Sequence, residues 1–212
     1  MSKFKAGLIA LIALVFGVVV AVNIAPPGGA SKIQHLNMYP QARALPDFLL
    51  VDHNNQSFTP ANLIGHWSLV FVGYTYCPDI CPTTLAELKD IYPELQKIPT
   101  DSPIQVVLLS VDPKRDTPER LNEYINFFHP DFIAISGEHA QLFPLVRAMG
   151  MMYSMSESTD NPNYLVDHSS SIVVVNPKAQ VIGRFKPDFV VGQLPISEGQ
   201  KILADMPAIV SL

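Results

Sequence analysis

Two strand-length runs of apolar side chains, 67–74 (WSLVFVGY) and 104–111 (IQVVLLSV), constrain this chain most. Neither alternates with polar residues, so each reads as a strand covered on both faces, as at the centre of a parallel or mixed sheet. A helical segment follows each run. Over 82–95, Leu85, Leu88 and Ile91 recur at helical spacing behind Pro82. After the second run, Thr117 is a cap and Pro118 the first helical residue. The order is strand, helix, strand, helix.

Further along, 132–135 reads as a short strand and 141–149 as a helix stopped by Gly150. Residues 172–175 and 181–185 form a hairpin turned at 176–179, and 194–206 forms a last helix. A shorter lead hairpin is expected around 48–51 with its turn at 52–55. Alternating βαβα, then a hairpin and a helix, predicts an α/β, thioredoxin-like mixed sheet flanked by helices.

The amino terminus differs in kind. Residues 6–25 contain no charge, enough for the ~20-residue helix that crosses a bilayer, and Lys3 and Lys5 precede them. We expect an N-terminal transmembrane helix within residues 1–25 with its start in the cytoplasm; the alternative, a cleaved signal peptide, exports the rest equally. Residues 26–46, opening Pro-Pro-Gly-Gly, read as a tether, and 47–212 as one folded domain. The formal charge of −5 becomes −7 without the two leader lysines, so nucleic acid is excluded as a partner.

Two cysteines cannot staple a domain of this size, yet they sit together in Cys77-Pro78-Asp79-Ile80-Cys81-Pro82, past the first central strand and before its helix. The spacing suits a disulfide or a shared metal. Pro82 disfavours helical geometry at Cys81, so Cys77 is expected on a loop and Cys81 near the helix cap. There, unsatisfied helix N–H groups stabilise a thiolate. A bridge over so short a loop would constrain the unfolded chain little, which argues for chemistry over stapling. Of the six histidines, His168 in Val-Asp-His-Ser is the candidate to join the pair, since the loop entering the strand at 172 faces the cysteine loop in a thioredoxin-like sheet.

Three segments, 74–82 (YTYCPDICP), 110–118 (SVDPKRDTP) and 166–169 (VDHS), resemble the Sco/SenC family in order and spacing. The resemblance covers about 48–206. It implies a copper chaperone that binds one copper ion, Cu(I) or Cu(II), through Cys77, Cys81 and His168. Its partner would be the copper-bearing subunit of cytochrome c oxidase, and its place the bacterial inner membrane with the domain in the periplasm. Asp112, Arg115 and Asp116 would brace loops around the site, and Asp79 or a water is a conceivable further ligand for Cu(II).

Two thiolates and an imidazole favour Cu(I), whereas structural zinc takes four protein ligands. A Cys77–Cys81 disulfide would have no thiolate to offer, so a thiol reductant is an expected partner. The alternative is a thiol–disulfide reductase using the redox-active pair Cys77 and Cys81 on the acceptor's cysteines. A peroxidase and a tethered interaction module with an inert bridge are weaker readings. Met149, Met151, Met152 and Met155 could bind Cu(I) but read as packing.

Overall fold

The computed structural model describes residues 32–212 except 156, 157 and 193, together with Ala13. The chain divides into two units, Met1–Lys32 and Ile33–Leu212, and the fold described here is that of the second. The expected membrane span lies, but for Ala13, outside the described residues, as do residues 26–31 of the tether. Among the described residues no helix is long and apolar enough to cross a membrane.

From residue 33 onward, among the described residues, ten strands and four α-helices follow one another as β1 (Leu36–Ala44), β2 (Leu50–Asp52), β3 (Ser57–Phe58), β4 (Trp67–Gly73), α1 (Ile80–Leu95), β5 (Ile104–Ser110), α2 (Pro118–Phe128), β6 (Ile133–Ser136), α3 (His139–Ala148), β7 (Tyr153–Met155), β8 (Val166–His168), β9 (Ile172–Val175), β10 (Gln180–Phe185) and α4 (Gly199–Ile209), with a 3-10 turn at Pro60–Asn62. Eight of the strands form one mixed sheet in the order β1-β10-β9-β4-β5-β6-β2-β3. The parallel strands β4, β5 and β6 are joined through α1 and α2, and the remaining pairings are antiparallel. This is the thioredoxin-like arrangement that the element order predicts.

Every residue of β4 and β5 is buried, which is why neither shows alternation. α1 presents Leu85, Leu88, Ile91, Tyr92 and Leu95 to the core. α2 begins as expected, with the Thr117 side chain accepting from the Arg120 N–H and Pro118 at the first turn.

The second half of the expected tether is a strand. β1 pairs with β10 at the sheet edge, and only Leu36 of its nine residues is buried, so its exposed faces read as a polar linker. The last helix starts at Gly199 rather than at 194, because Ser197 is drawn down to donate to the Phe185 carbonyl and Gly199 donates to Glu87 of α1. Residues 166–168 form a short strand, not a loop, paired with β7 in a separate two-stranded sheet.

Candidate metal centre

β4 ends at Gly73 in the middle of the sheet, and the chain turns so that the Cys77 N–H donates to the Tyr74 carbonyl at 3.3 Å. Helix α1 opens at Ile80 behind Asp79, which places Cys81 in its first turn, fully buried, while Cys77 stays half-buried on the loop. The Cys81 N–H, one of the helix's otherwise unsatisfied donors, points at the Cys77 Sγ at 3.4 Å. Both cysteines are free.

His168 arrives from the opposite direction in sequence. It ends β8, opposite Tyr153 of β7, and its ring stands edge-on to Phe71 and Tyr74. Its Nδ1 lies 3.2 Å from the Ser169 carbonyl, which can only accept, so Nδ1 carries the proton and Nε2 keeps its lone pair. Nε2 is 3.4 Å from the Cys81 Sγ. The three donor atoms lie within 4.8 Å of one another, the only such group of three or more Cys, His, Asp or Glu among the described residues. Small inward shifts bring them to the bonds of about 2.0–2.3 Å that nitrogen and sulfur make to a metal.

The two thiols are electrostatically unlike. The hydrogen bond from the Cys81 thiol first, then the N–H groups of Cys81 and Asp79, hold the Cys77 thiol at about 4, against the opposing cost of burial. Burial pushes the Cys81 thiol up, as do the hydrogen bond and charge of Cys77. Without metal, then, Cys77 is the thiolate and Cys81 the neutral thiol that donates to it. An ion must displace the Cys81 proton, and a partly buried soft-ligand site with one imidazole selects Cu(I) over hard cations.

The bracing residues are where the sequence places them. Asp116, buried, accepts from the Thr75 N–H at 2.9 Å, the Thr75 Oγ1 at 2.7 Å and the Ser110 Oγ, fastening the start of the cysteine loop to the end of β5. Asp112, also buried, accepts from Arg115 and from the Tyr164 hydroxyl. The Arg115 guanidinium lies 3.5 Å over the Tyr164 ring. The Tyr74 hydroxyl accepts from the Val166 N–H at 3.3 Å, tying β8 to the cysteine loop. Tyr164 belongs to no recognisable pattern, and the sequence carries no sign of its role. Tyr74 lies within the cysteine segment itself, where its adjacency was the available signal.

Asp79 is exposed and outside the donor group. The other histidines do other work: His53 accepts from the Ala134 N–H, His139 bonds the Tyr153 hydroxyl, and His129 packs on Tyr92. Met149 and Met151 are buried, in keeping with packing, and Met155 is partly so; Met152 is 74% exposed.

The SCO1/SenC family model matches residues 37–194. The SCO2-like protein of Rickettsia prowazekii (strain Madrid E) is 39% identical over 142 residues, covering 66% of this chain and 68% of that protein. Among solved structures, apo Sco1 from Thermus thermophilus superposes with a TM-score of 0.69 at 29% identity, over 85% of this chain and 99% of that one. Copper-bound ScoI from Arabidopsis thaliana does so with 0.66 at 26%, over 79% and 99%. A family match of that length, with the matching fold and relatives at that identity, places this chain in the SCO1/SenC family.

Proposed function

We propose that this chain is a membrane-tethered copper chaperone. It holds one copper ion between Cys77, Cys81 and His168 and hands it to the copper-bearing subunit of cytochrome c oxidase. The observation that carries the reading is the convergence of two sulfurs and Nε2 within 4.8 Å from segments 87 residues apart. The copper bound by the similar Arabidopsis protein supports it.

The N-terminal span anchors the protein in the bacterial inner membrane with its start in the cytoplasm and its domain in the periplasm, where a reductant keeps the two cysteines as thiols. Binding begins at Cys77, already a thiolate and the more accessible sulfur, and completes when Cys81 releases its proton. A three-coordinate ion leaves a side open, so an acceptor's thiolate can bond before the donor's bonds break.

Copper titration of the reduced full chain tests the reading. Cys77→Ser and Cys81→Ser abolish tight binding, and His168→Ala weakens it while leaving the disulfide able to form. Unchanged Cu(II) affinity and spectrum in His168→Ala would overturn the three-ligand site.

The asymmetry of the two thiols favours a second reading, reduction of the acceptor's disulfide. The Cys77 thiolate attacks one acceptor sulfur and releases the other as a thiol; Cys81 then attacks the mixed disulfide, leaving a Cys77–Cys81 bridge and two acceptor thiols. That chemistry does not need His168, so His168→Ala separates the two.

A further inference from the structure

Of the four clustered methionines, packing accounts for Met149 and Met151, which are buried, and in part for Met155. It does not account for Met152, which is exposed one residue before β7. Met152 stands beside the imidazole ligand. In the β7–β8 pairing Tyr153 lies opposite His168, so Met152 falls opposite Ser169. The Ser169 N–H donates to the Met152 carbonyl at 3.0 Å, and the Met152 N–H donates to the Ser169 Oγ at 3.2 Å. The Ser169 carbonyl in turn accepts from His168 Nδ1. One serine therefore fixes the backbone at residue 152 and the ring of His168 together.

A cavity of about 320 Å³ opens at this point, lined by Met152, Tyr153, Ser154, Asp167, His168 and Ser169. It gives the half-buried ligand His168 a side that faces water. Besides the imidazole, the side chains around it offer oxygen, with the single exception of the Met152 thioether. The Tyr153 hydroxyl is taken by His139 and the Ser169 hydroxyl by the backbone of Met152. The exposed Asp167 carboxylate gives the wall a negative charge, which attracts a cation without preferring a soft one. A thioether is soft and neutral and needs no deprotonation, so it adds the missing preference for Cu(I).

We propose that Met152 is a capture ligand for Cu(I): its thioether takes the ion at the cavity and passes it by way of His168 to the two cysteine sulfurs. This rests on the copper-binding reading. Cys81 is fully buried and an incoming ion reaches it last, so a first donor at the surface lets the ion exchange its carrier's ligands one at a time. No electron moves. A bond from copper to the thioether forms as a carrier ligand leaves, and it breaks as the thiolate bonds form and the Cys81 proton passes to water. A thioether is a weaker donor than a thiolate, so Met152 speeds filling of the centre and adds nothing to its final affinity.

The test uses the reduced full chain in detergent, its methionine methyl groups labelled with 13C, and Cu(I) supplied as its acetonitrile complex. In Cys77→Ser/Cys81→Ser, which keeps Met152 and His168, Cu(I) shifts the Met152 methyl resonance. It leaves that of Met38, an exposed methionine of β1, in place. With both cysteines present, Met152→Leu reaches the wild-type affinity but takes up Cu(I) about 10-fold more slowly, the scale on which losing one supporting group at a metal site is felt. Met38→Leu takes it up like wild type. An unmoved Met152 methyl, equal shifts at Met152 and Met38, or uptake by Met152→Leu at the wild-type rate would overturn the capture role alone. So would a lower final affinity in Met152→Leu, which would make Met152 a ligand of the filled centre. Wild type that binds no copper would overturn the copper-binding reading, and this inference with it.

Discussion

A Cβ placed on Gly73 would lie 2.7 Å from the Cys81 Sγ, so the buried sulfur rests against the bare end of β4. Such a Cβ would also stand 3.0 Å from the Phe71 ring, itself against His168. The glycine is thus a space requirement of the metal centre. Gly73→Ala must push the sulfur or the strand aside, at a cost of about 1–3 kcal/mol for overpacking. We expect a lowered melting temperature and at least ~10-fold weaker Cu(I) binding in competition with a chelator, because ligand geometry is lost. A variant as stable as wild type with unchanged affinity would show that the contact can relax freely.

The division of charge between the two thiols gives a pH dependence. In reduced, metal-free protein, Cys77 stays a thiolate down to about 4, so iodoacetamide alkylation at this residue is near its plateau at pH 6 and falls only as pH approaches that value. Cys81, buried and shifted upward, resists alkylation throughout. The folded thiol of Cys77 lies below its unfolded value of 9.0. Its contribution to stability is therefore fully present above the unfolded value and is lost as pH falls through about 4. The raised Cys81 acts in the opposite sense, and stability decreases once an unfolded thiol would ionise. Peptide mapping after alkylation across pH 3–9 checks the assignment, and preferential labelling of Cys81 would reverse it.

Asp116 holds the start of the cysteine loop through three hydrogen bonds, two of them to Thr75. Its burial raises its own titration, partly offset by those bonds. Asp116→Ala strands the Thr75 N–H and two hydroxyls in the interior, a loss of about 2–4 kcal/mol. Loosening residue 75 also loosens Cys77, so copper affinity falls with stability. Thr75→Val removes the hydroxyl's two bonds, to Asp116 and from Arg120, but keeps the backbone bond, and is milder in both. Denaturant unfolding alongside copper titration distinguishes the two, and equal effects would mean that the backbone bond does not matter.

What the sequence reveals here follows from where its signals are physical. β4 and β5 are legible because full burial demands an unbroken apolar run, whereas the entry of α1 is legible only to within two residues, since Pro82 points to a start after Cys81 and the helix opens at Ile80. β8 is illegible: three residues, Val-Asp-His, carry no periodicity, and their partner strand lies eleven residues back. His168 is legible through the loop order and the family resemblance, not through its own surroundings. Gly73 and Tyr164 act through close approach across the fold, which no local pattern records. The tether reads longer than it is for the converse reason. An edge strand with one buried residue has the composition of a linker.

That strand is held by a residue that no pattern in the sequence marks. The buried Asp205 carboxylate of α4 accepts from the backbone N–H groups of Gln34, His35 and Leu36, at 2.7 Å for His35 and 2.8 Å for Leu36. These amides precede and begin β1, where no strand partner yet satisfies them. One carboxylate therefore fixes the point at which the chain enters the domain. Asp205→Ala leaves them without an acceptor, costing about 2–4 kcal/mol, and we expect hydrogen exchange to accelerate first at 34–38. The register between β1 and β10 shifts between Met38 and Arg43, so 43–44 should keep more of their protection. Uniform loss across 36–44 would instead mean that β1 detaches as one piece. Copper binding remains, since Cys77, Cys81 and His168 owe nothing to this clamp.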